Sequence, residues 1–349
     1  MSILQLGIDA VERGIVPDIL TRIAIRQLCR TRQRESDQGR IEVSGSSLAA
    51  FRESMRSGPI ALVPDLANRQ HYEVPPEFFA AVLGPRRKYS CCYFPNDKSS
   101  LQEAEEAALS VTCQRAEIAD GQHILELGCG WGSLSLWMAE KYPDSRITAV
   151  SNSLSQRNFI EAEATLRGFK NLQVITADMN DFSPGSQVFD RVVSVEMFEH
   201  MRNYDLLLKR IETWLNSEGK LFVHIFCHRS LSYPFETEGA ANWMGRYFFS
   251  GGIMPAADLL NSFNRDLMVS HRYDWNGQHY CRTADAWLSN LDTRRSEVLG
   301  ILGKVYGKKD AVLWLNRWRM FFLAVAELFG FAGGEEWFVA HYLMERSNI

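Results

Sequence analysis

No Cys-x-x-Cys pair occurs in these 349 residues. None of the seven cysteines (29, 91, 92, 113, 129, 227 and 281) is spaced with histidine as a metal ligand would be. No metal and no dithiol redox centre is therefore expected. The adjacent Cys91 and Cys92 sit in an aromatic stretch and read as packed thiols, which points to a reducing, cytoplasmic compartment. A basic surplus is also lacking: the formal charge is −4, with no basic stripe, which argues against nucleic acid as a partner. The opening MSILQLGIDAVERGIVPD has no basic stretch ahead of its apolar residues, so no secretory signal is expected. Long apolar runs are missing too. The most apolar one, MFFLAVAELFGFA (320–332), contains Glu327 and falls short of the roughly 20 residues that cross a bilayer. It reads as a buried helix, and no membrane insertion is expected. Repeats and low-complexity tracts are absent. What remains, 46% hydrophobic and 23% charged residues, is ordinary globular composition.

Two grammars divide the chain. Residues 1–118 read as a helical cap. ILTRIAIRQL places apolar residues at helical spacing, the polar run RQRESDQGR (32–40) reads as a loop, and the Pro-Pro break in HYEVPPEFFAAVL (71–83) should start a helix. DKSSLQEAEEAALSVTCQRA (97–116) offers Ser/Asp caps and then a long amphipathic helix. From 119 to 349, strands alternate with helices. HILELG, RITAVSNS, LQVITAD, FDRVVSVE and KLFVHIF (220–226) are strands, with helices such as SLSLWMAEKY, LSQRNFIEAEATLRGF and YDLLLKRIETWL between them. That alternation predicts a doubly wound, parallel sheet. From about 227 to 335 the pattern lapses into an aromatic, irregular stretch and then a helical insertion. The insertion holds one strand, LMVSHRYDW (267–275), and two long helices, DAWLSNLDTRRSEVLGIL and KDAVLWLNRWRMFFLAVAELFGF. WFVAHYLMER (337–346) reads as the last strand.

The first βα turn is Glu126-Leu-Gly128-Cys-Gly130-Trp-Gly132. Glycines there permit a tight turn and let a cofactor approach the backbone. The ExGxGxG spacing lacks the third glycine of a nicotinamide fingerprint and the GK[ST] of a phosphate loop. An acid beside the turn suits a ligand that carries an ammonium and no pyrophosphate. S-adenosylmethionine (SAM) is such a ligand, and Glu126 is expected to hold its ammonium, directly or through water. The second strand ends Ser151-Asn152-Ser153 with no acid for the ribose. Asn152, which both donates and accepts, is the expected substitute, with Gln156 one turn later. At the end of the third strand, Asp178 is expected on the adenine amino group, with Met179 against the ring.

The fourth strand ends Ser194-Val-Glu196-Met-Phe-Glu199-His200-Met201. Ligand sites in open α/β sheets lie at such carboxyl ends. Two carboxylates three residues apart meet if the chain turns helical, and each raises the other's pKa. An adjacent histidine exchanges protons near neutral pH. This is the equipment of a general base, and a protonated amine needs one before it can attack a methyl donor. Glu196, Glu199 and His200 are therefore the catalytic candidates.

With these motifs in view, LELGCGWGSLSL, VSNSLSQ and VSVEMFEHM resemble the cyclopropane fatty acid synthase superfamily of SAM-dependent enzymes. Within it, the chain looks most like the coclaurine and pavine N-methyltransferases. HYEVP (71–75), KYSCCYF (88–94), MGRYFFSGGIMP (244–255) and GEEWFVAH (334–341) share in the likeness, which covers most of the chain after residue 60. The resemblance implies a class I, Rossmann-like fold with a mainly parallel seven-stranded sheet. It implies a catalytic ExxEH group at Glu196, Glu199 and His200, and SAM contacts at Ser90, Gly128, Asn152, Gln156, Asp178 and Met179, with Tyr89 added.

The same resemblance supplies an alternative. The lipid cyclopropane synthases use a bound bicarbonate, in a pocket whose counterparts here are Cys91, Glu199, His224 and Tyr280. The position of the pocket's isoleucine is Phe226, and where the lipid enzymes read GMFEH this chain has Glu196 for the glycine. An unpaired charge beside an acyl chain would cost several kcal/mol, whereas a second carboxylate suits a cationic amine. A non-catalytic SAM-binding module is a third class, opposed by the presence of both the cofactor loop and the acid/base group. The expected acceptor is a small, aromatic or heterocyclic amine, for which the aromatic stretches 233–249 and 273–280 offer cation–π walls. A homodimer is left open.

Overall fold

The computed structural model describes residues 2–37, 48–62 and 74–347. The cap is built from α1 (Ile3–Glu12), α2 (Asp18–Asp37), α3 (Leu48–Ser54), α4 (Pro76–Val82) and α5 (Leu101–Arg115). Local chemistry sets these ends. Pro75 caps α4 and Pro76 opens it, where a missing N–H costs nothing. Ser100 and Glu103 form a reciprocal capping box on α5. The polar run expected to be a loop is helical as far as Asp37, because arginine, glutamine and glutamate are good helix formers. Its last residues, 38–40, and residues 71–73 of the HYEVP stretch lie outside the described residues.

The core continues with β1 (His123–Leu127), α6 (Ser133–Lys141), β2 (Arg146–Ser151), α7 (Leu154–Arg167), β3 (Leu172–Thr176), β4 (Phe189–Val195), α8 (Tyr204–Trp214) and β5 (Leu215–His228). A small ribbon of β6 (Tyr233–Pro234) and β7 (Ile253–Met254) flanks the short helix α9 (Trp243–Tyr247). Then come β8 (Leu267–Trp275), α10 (Gln278–Thr293), α11 (Arg295–Tyr306), α12 (Ala311–Gly330) and β9 (Trp337–Arg346).

The main sheet has seven strands in the order β3-β2-β1-β4-β5-β9-β8. The first five run parallel, while β9 is antiparallel to both β5 and β8. The mainly parallel, seven-stranded sheet inferred from the sequence is therefore present. From β1 the chain winds outward to β3, then returns to β4 on the other side. The switch point lies between β1 and β4, and the crevice beyond their carboxyl ends receives both the glycine loop and the ExxEH turn.

The strand expected at 267–275 is β8, and it forms the edge of the main sheet. One expectation changes in detail. The stretch DAWLSNLDTRRSEVLGIL is two helices, α10 and α11, which meet at Arg294. The apolar run 320–332 is buried helix, as its length implied. Glu327 within it is matched by Arg22 (2.8 Å) and Arg26 (3.0 Å) from α2, so the buried charge ties cap to core. Among the described residues no helix is long and apolar enough to cross a membrane. Cys91 and Cys92 are buried and outside any disulfide, consistent with packed thiols.

Candidate active site

The glycine loop follows β1 and is fastened to β2, where Val150 O accepts the N–H groups of Gly128 and Cys129. Two glycines do different jobs. A Cβ on Gly128 would meet Met197 at 2.8 Å, so that glycine lets the loop pack on the ExxEH turn. Gly130 has φ +51°, and a Cβ there would meet nothing within 4 Å because it would point into an open cleft. That cleft is lined by Gly130, Asn152, Gln156, Asp178, Met179 and Glu196. An adjoining compartment is lined by Tyr89, Ser90, Glu126 and Gly128. All nine residues expected at the cofactor are thus brought to one continuous crevice.

The polar groups in that crevice are incompletely satisfied. Glu126 is buried, accepts from Ser135 Oγ and has no cation bonded to it among the described residues. Burial pushes its carboxyl up to about 8. Gln156 accepts from Ser151 Oγ at 2.6 Å, and its buried amide nitrogen has no partner among the described residues. Thr112 Oγ1, Ser133 Oγ and Trp131 Nε1, buried in the same compartment as Glu126, likewise have no partner among the described residues. Buried polar atoms are ordinarily bonded, so this crevice is built for a polar guest. An ammonium at Glu126, hydroxyls at Asn152 and Gln156, and an adenine ring at Asp178 and Met179 match the functional groups of SAM.

The ExxEH residues form the wall opposite. After β4 the chain takes a left-handed step at Glu196 (φ +48°) and then a single 3₁₀ turn over Phe198–His200. The step aims Glu196 back under the sheet end. Its Oε1 accepts from Cys91 N (2.9 Å) and faces His224 Nε2 (3.2 Å), and its Oε2 accepts from Tyr280 OH (2.6 Å). Glu199 is buried in the 3₁₀ turn, and its Oε2 has no partner among the described residues. Burial raises both carboxyls. For Glu196 the Lys88 charge and the bonds from Cys91 and Tyr280 oppose the rise, whereas for Glu199 the Glu196 charge adds to it. The bonds into Glu196 favour its charged form, whereas burial and the Glu196 charge favour the neutral form of Glu199. His200 stacks on Phe249 with centroids 4.6 Å apart. The three catalytic candidates therefore converge as their spacing suggested.

A second pocket opens on the far side of Glu196. Its lining is Tyr89, Glu196, Glu199, His200, Phe226, Phe249, Tyr280, Trp287 and Phe321. Among the described residues, Glu196 and His200 line both this aromatic pocket and the cleft of Gly130 and Asp178, and Tyr89 lines both the pocket and the compartment of Glu126. Of the aromatic stretches singled out in the sequence, Phe249 and Tyr280 reach the pocket, while Trp243, Phe248 and Trp275 are core.

Several neighbours were not visible beforehand. Lys88 is buried and donates to Ser90 Oγ and Cys91 O, both at 2.6 Å. In the 88–94 segment two further backbone N–H groups bond side chains, Cys92 N on Thr283 Oγ1 and Phe94 N on His279 Nδ1. Behind Glu196, His341 meets His224 at 2.9 Å and Arg115 at 3.1 Å. The triplets VHI and VAH lie in strands buried on both faces, so no alternation singles out either histidine. What the sequence does not carry is that β5 and β9 are partners.

A doubly wound sheet in this order, with a glycine cleft after β1 and an acid pair after β4, defines a SAM-dependent methyltransferase of class I. Residues 64–330 match the family model described as mycolic acid cyclopropane synthetase, and the chain belongs to that family. It is 37% identical over 340 residues to (S)-coclaurine N-methyltransferase of Thalictrum flavum subsp. glaucum, covering 96% of this chain and 94% of that one. It is 28% identical over 226 residues to the cyclopropane-fatty-acyl-phospholipid synthase of Escherichia coli K12, covering 64% of this chain and 55% of that one. Among solved structures it is similar to coclaurine N-methyltransferase bound to N-methylheliamine and SAH, with 35% identity and a TM-score of 0.90 over 97% of this chain and 98% of that one.

Proposed function

We propose that this enzyme transfers the methyl group of SAM to the nitrogen of a small aromatic or heterocyclic amine. The observation that carries this is the double membership of Glu196 and His200, one carboxylate and one imidazole on the wall between a cofactor cleft and an aromatic pocket. An aromatic lining attracts a cation through its ring faces, and the Glu196 carboxylate adds a full charge at the pocket floor. SAM, when bound, supplies an electrophilic methyl on a sulfonium. The chain's own residues do the rest. Glu196 orients the ammonium, His200 at the wall takes its proton, and Glu199, kept neutral, leaves no second anion to trap the cation. The freed lone pair then points across the wall for an in-line displacement, in which positioning supplies much of the acceleration.

The curated N-methyltransferase relatives support an amine acceptor, since they match nearly the whole chain. The lipid alternative is disfavoured by one contact set. The Cys91, His224 and Tyr280 groups that would cradle a bicarbonate already bond the Glu196 carboxylate. The test is to offer purified enzyme a panel of amines and, separately, unsaturated phospholipid, with mass detection of the product. Modified lipid with untouched amines would overturn the proposal.

A further inference from the structure

Glu196 is the inner end of a buried chain of hydrogen bonds whose outer end is a guanidinium. Arg115 Nη1 lies 3.1 Å from His341 Nδ1, His341 Nε2 lies 2.9 Å from His224 Nδ1, and His224 Nε2 lies 3.2 Å from Glu196 Oε1. The two histidines are direct partners in the antiparallel β5–β9 ladder. Both are fully buried, with the Trp275 ring packed against each. Arg115 ends α5, and its guanidinium lies over the rings of Tyr273 and Trp275.

The chain has only one polarity. A guanidinium donates and never accepts. Arg115 therefore makes His341 Nδ1 an acceptor and leaves the His341 proton on Nε2. That N–H occupies His224 Nδ1, so the His224 proton sits on Nε2 and points at Glu196. A second proton on either ring would set two N–H groups, or an N–H and a guanidinium, face to face. Burial and the positive charges of Lys88 and Arg115 weigh the same way.

We infer that Arg115 and His341 are positioning residues that deny His224 a second proton, so that Glu196 offers an approaching ammonium a negative charge no imidazolium neutralises. The chain is a lock and not a proton wire, because its outer member cannot release a proton near neutral pH. His224 is thereby excluded as the base. Among the described residues, the charged and titratable groups around Glu196 are Lys88, Tyr89 and Cys91 from the 88–94 segment, Tyr280 from α10, Glu199 and His200 from the turn, and His224 from β5.

This inference rests on the amine-methylation proposal for its meaning but not for its first test. Selective ¹⁵N-histidine labelling reads ring tautomers without any substrate. His224 and His341 should both be neutral Nε2–H tautomers from pH 6 to 8. An Nδ1–H tautomer or an imidazolium on either ring would overturn the lock. The second test follows kcat/KM against pH with tetrahydroisoquinoline as acceptor. His341→Phe frees His224 Nδ1, so the acid limb should move to higher pH, with about a tenfold loss at pH 6 and little at pH 8.5, for a shift of about one unit. His341→Gln keeps an N–H toward His224 and a carbonyl toward Arg115, and should restore the wild-type limb. If His341→Phe fails to fold, Arg115→Met frees His341 Nδ1 from a half-buried position and should show the same displacement. A limb unmoved in a folded variant, or moved equally by Phe and Gln, refutes the inference. If tetrahydroisoquinoline and other amines are not methylated while the tautomers are as stated, the lock stands and the amine proposal falls.

Discussion

Tyr280 donates its hydroxyl to Glu196 Oε2 across 2.6 Å, joining the first turn of α10 to the end of β4. With Cys91 N and His224 Nε2 on the other oxygen, the carboxylate fills a socket of three donors. Glu196 pays for that reach with a left-handed backbone, a conformation that costs a non-glycine residue roughly 1–2 kcal/mol. The side chain therefore occupies, from within, the kind of pocket that would otherwise hold a small carboxylic or carbonic anion.

Glu196→Gly should separate the two effects. Glycine relieves the backbone but empties the socket and strands its donors, each unsatisfied one costing about 1–3 kcal/mol. Amine methylation should be lost while SAM affinity is nearly kept. Added formate or bicarbonate, small enough to enter, should restore part of the activity and raise the melting temperature of the variant but not of the wild type. Full activity in Glu196→Gly without any added anion would show that the carboxylate is dispensable.

Gly130→Val tests the cofactor cleft. The φ of +51° disfavours a β-branched residue, and its Cβ would stand in the cleft. SAM binding by calorimetry should disappear while far-UV dichroism stays near wild type. Gly128→Val should behave differently. There the new Cβ collides with Met197, so the fold itself should suffer. Unchanged SAM affinity in Gly130→Val would displace the site.

The sequence carried the parts of this site that are local. The glycine loop, the acid pair and its histidine, and the strand-end residues Asn152 and Asp178 sit where a βα alternation puts them, at carboxyl strand ends around one switch point. Two kinds of feature were not legible. The loop expected at 32–40 is helical through Asp37 because polarity alone does not end a helix when its residues favour one. His341 and Arg115 were missed because their role depends on which strands become neighbours. Strand β9 inserts antiparallel between β5 and β8, and only that pairing sets His341 opposite His224, 117 positions away in sequence. Lys88 was passed over for a related reason: in the sequence it is one more cation, and only its burial beside Ser90 and Cys91 makes it part of the site.

Glu126 predicts a proton count. Burial holds its folded carboxyl up to about 8, above its ordinary value of 4.5. The sign follows directly. The folded, unliganded state binds the proton more tightly than the unfolded one, so this group's stabilising contribution is present at low pH and is lost as pH rises from about 4.5 toward 8. An ammonium placed beside Glu126 favours the carboxylate and draws the pKa down. SAM binding at pH 7 should therefore release close to one proton, read from calorimetry in buffers of different ionisation enthalpy. Glu126→Gln should bind SAM more weakly, release no proton and lose the decline in stability between those pH values. Proton-neutral binding by the wild type would remove Glu126 from the ammonium.

His200 is the proposed base, and its place on the wall between the two pockets makes the claim testable by pH. A free amine has a pKa of about 10 by comparison with lysine, so at pH 7 nearly all of it arrives protonated. General-base assistance is worth roughly 10²–10⁴-fold. His200→Ala should lower kcat by about that range at pH 7 and by much less near pH 10, where the amine no longer needs a base. The ring also packs on Phe249, so truncation removes a contact as well as a proton acceptor. His200→Phe keeps the stacking and removes only the nitrogens, and it should reproduce the same pH-dependent loss with a melting temperature close to wild type. Loss of equal size at every pH, with lowered thermal stability in His200→Ala alone, would assign the ring to packing. The proton would then have to leave through Glu199, whose carboxyl burial and the Glu196 charge push well above its ordinary range.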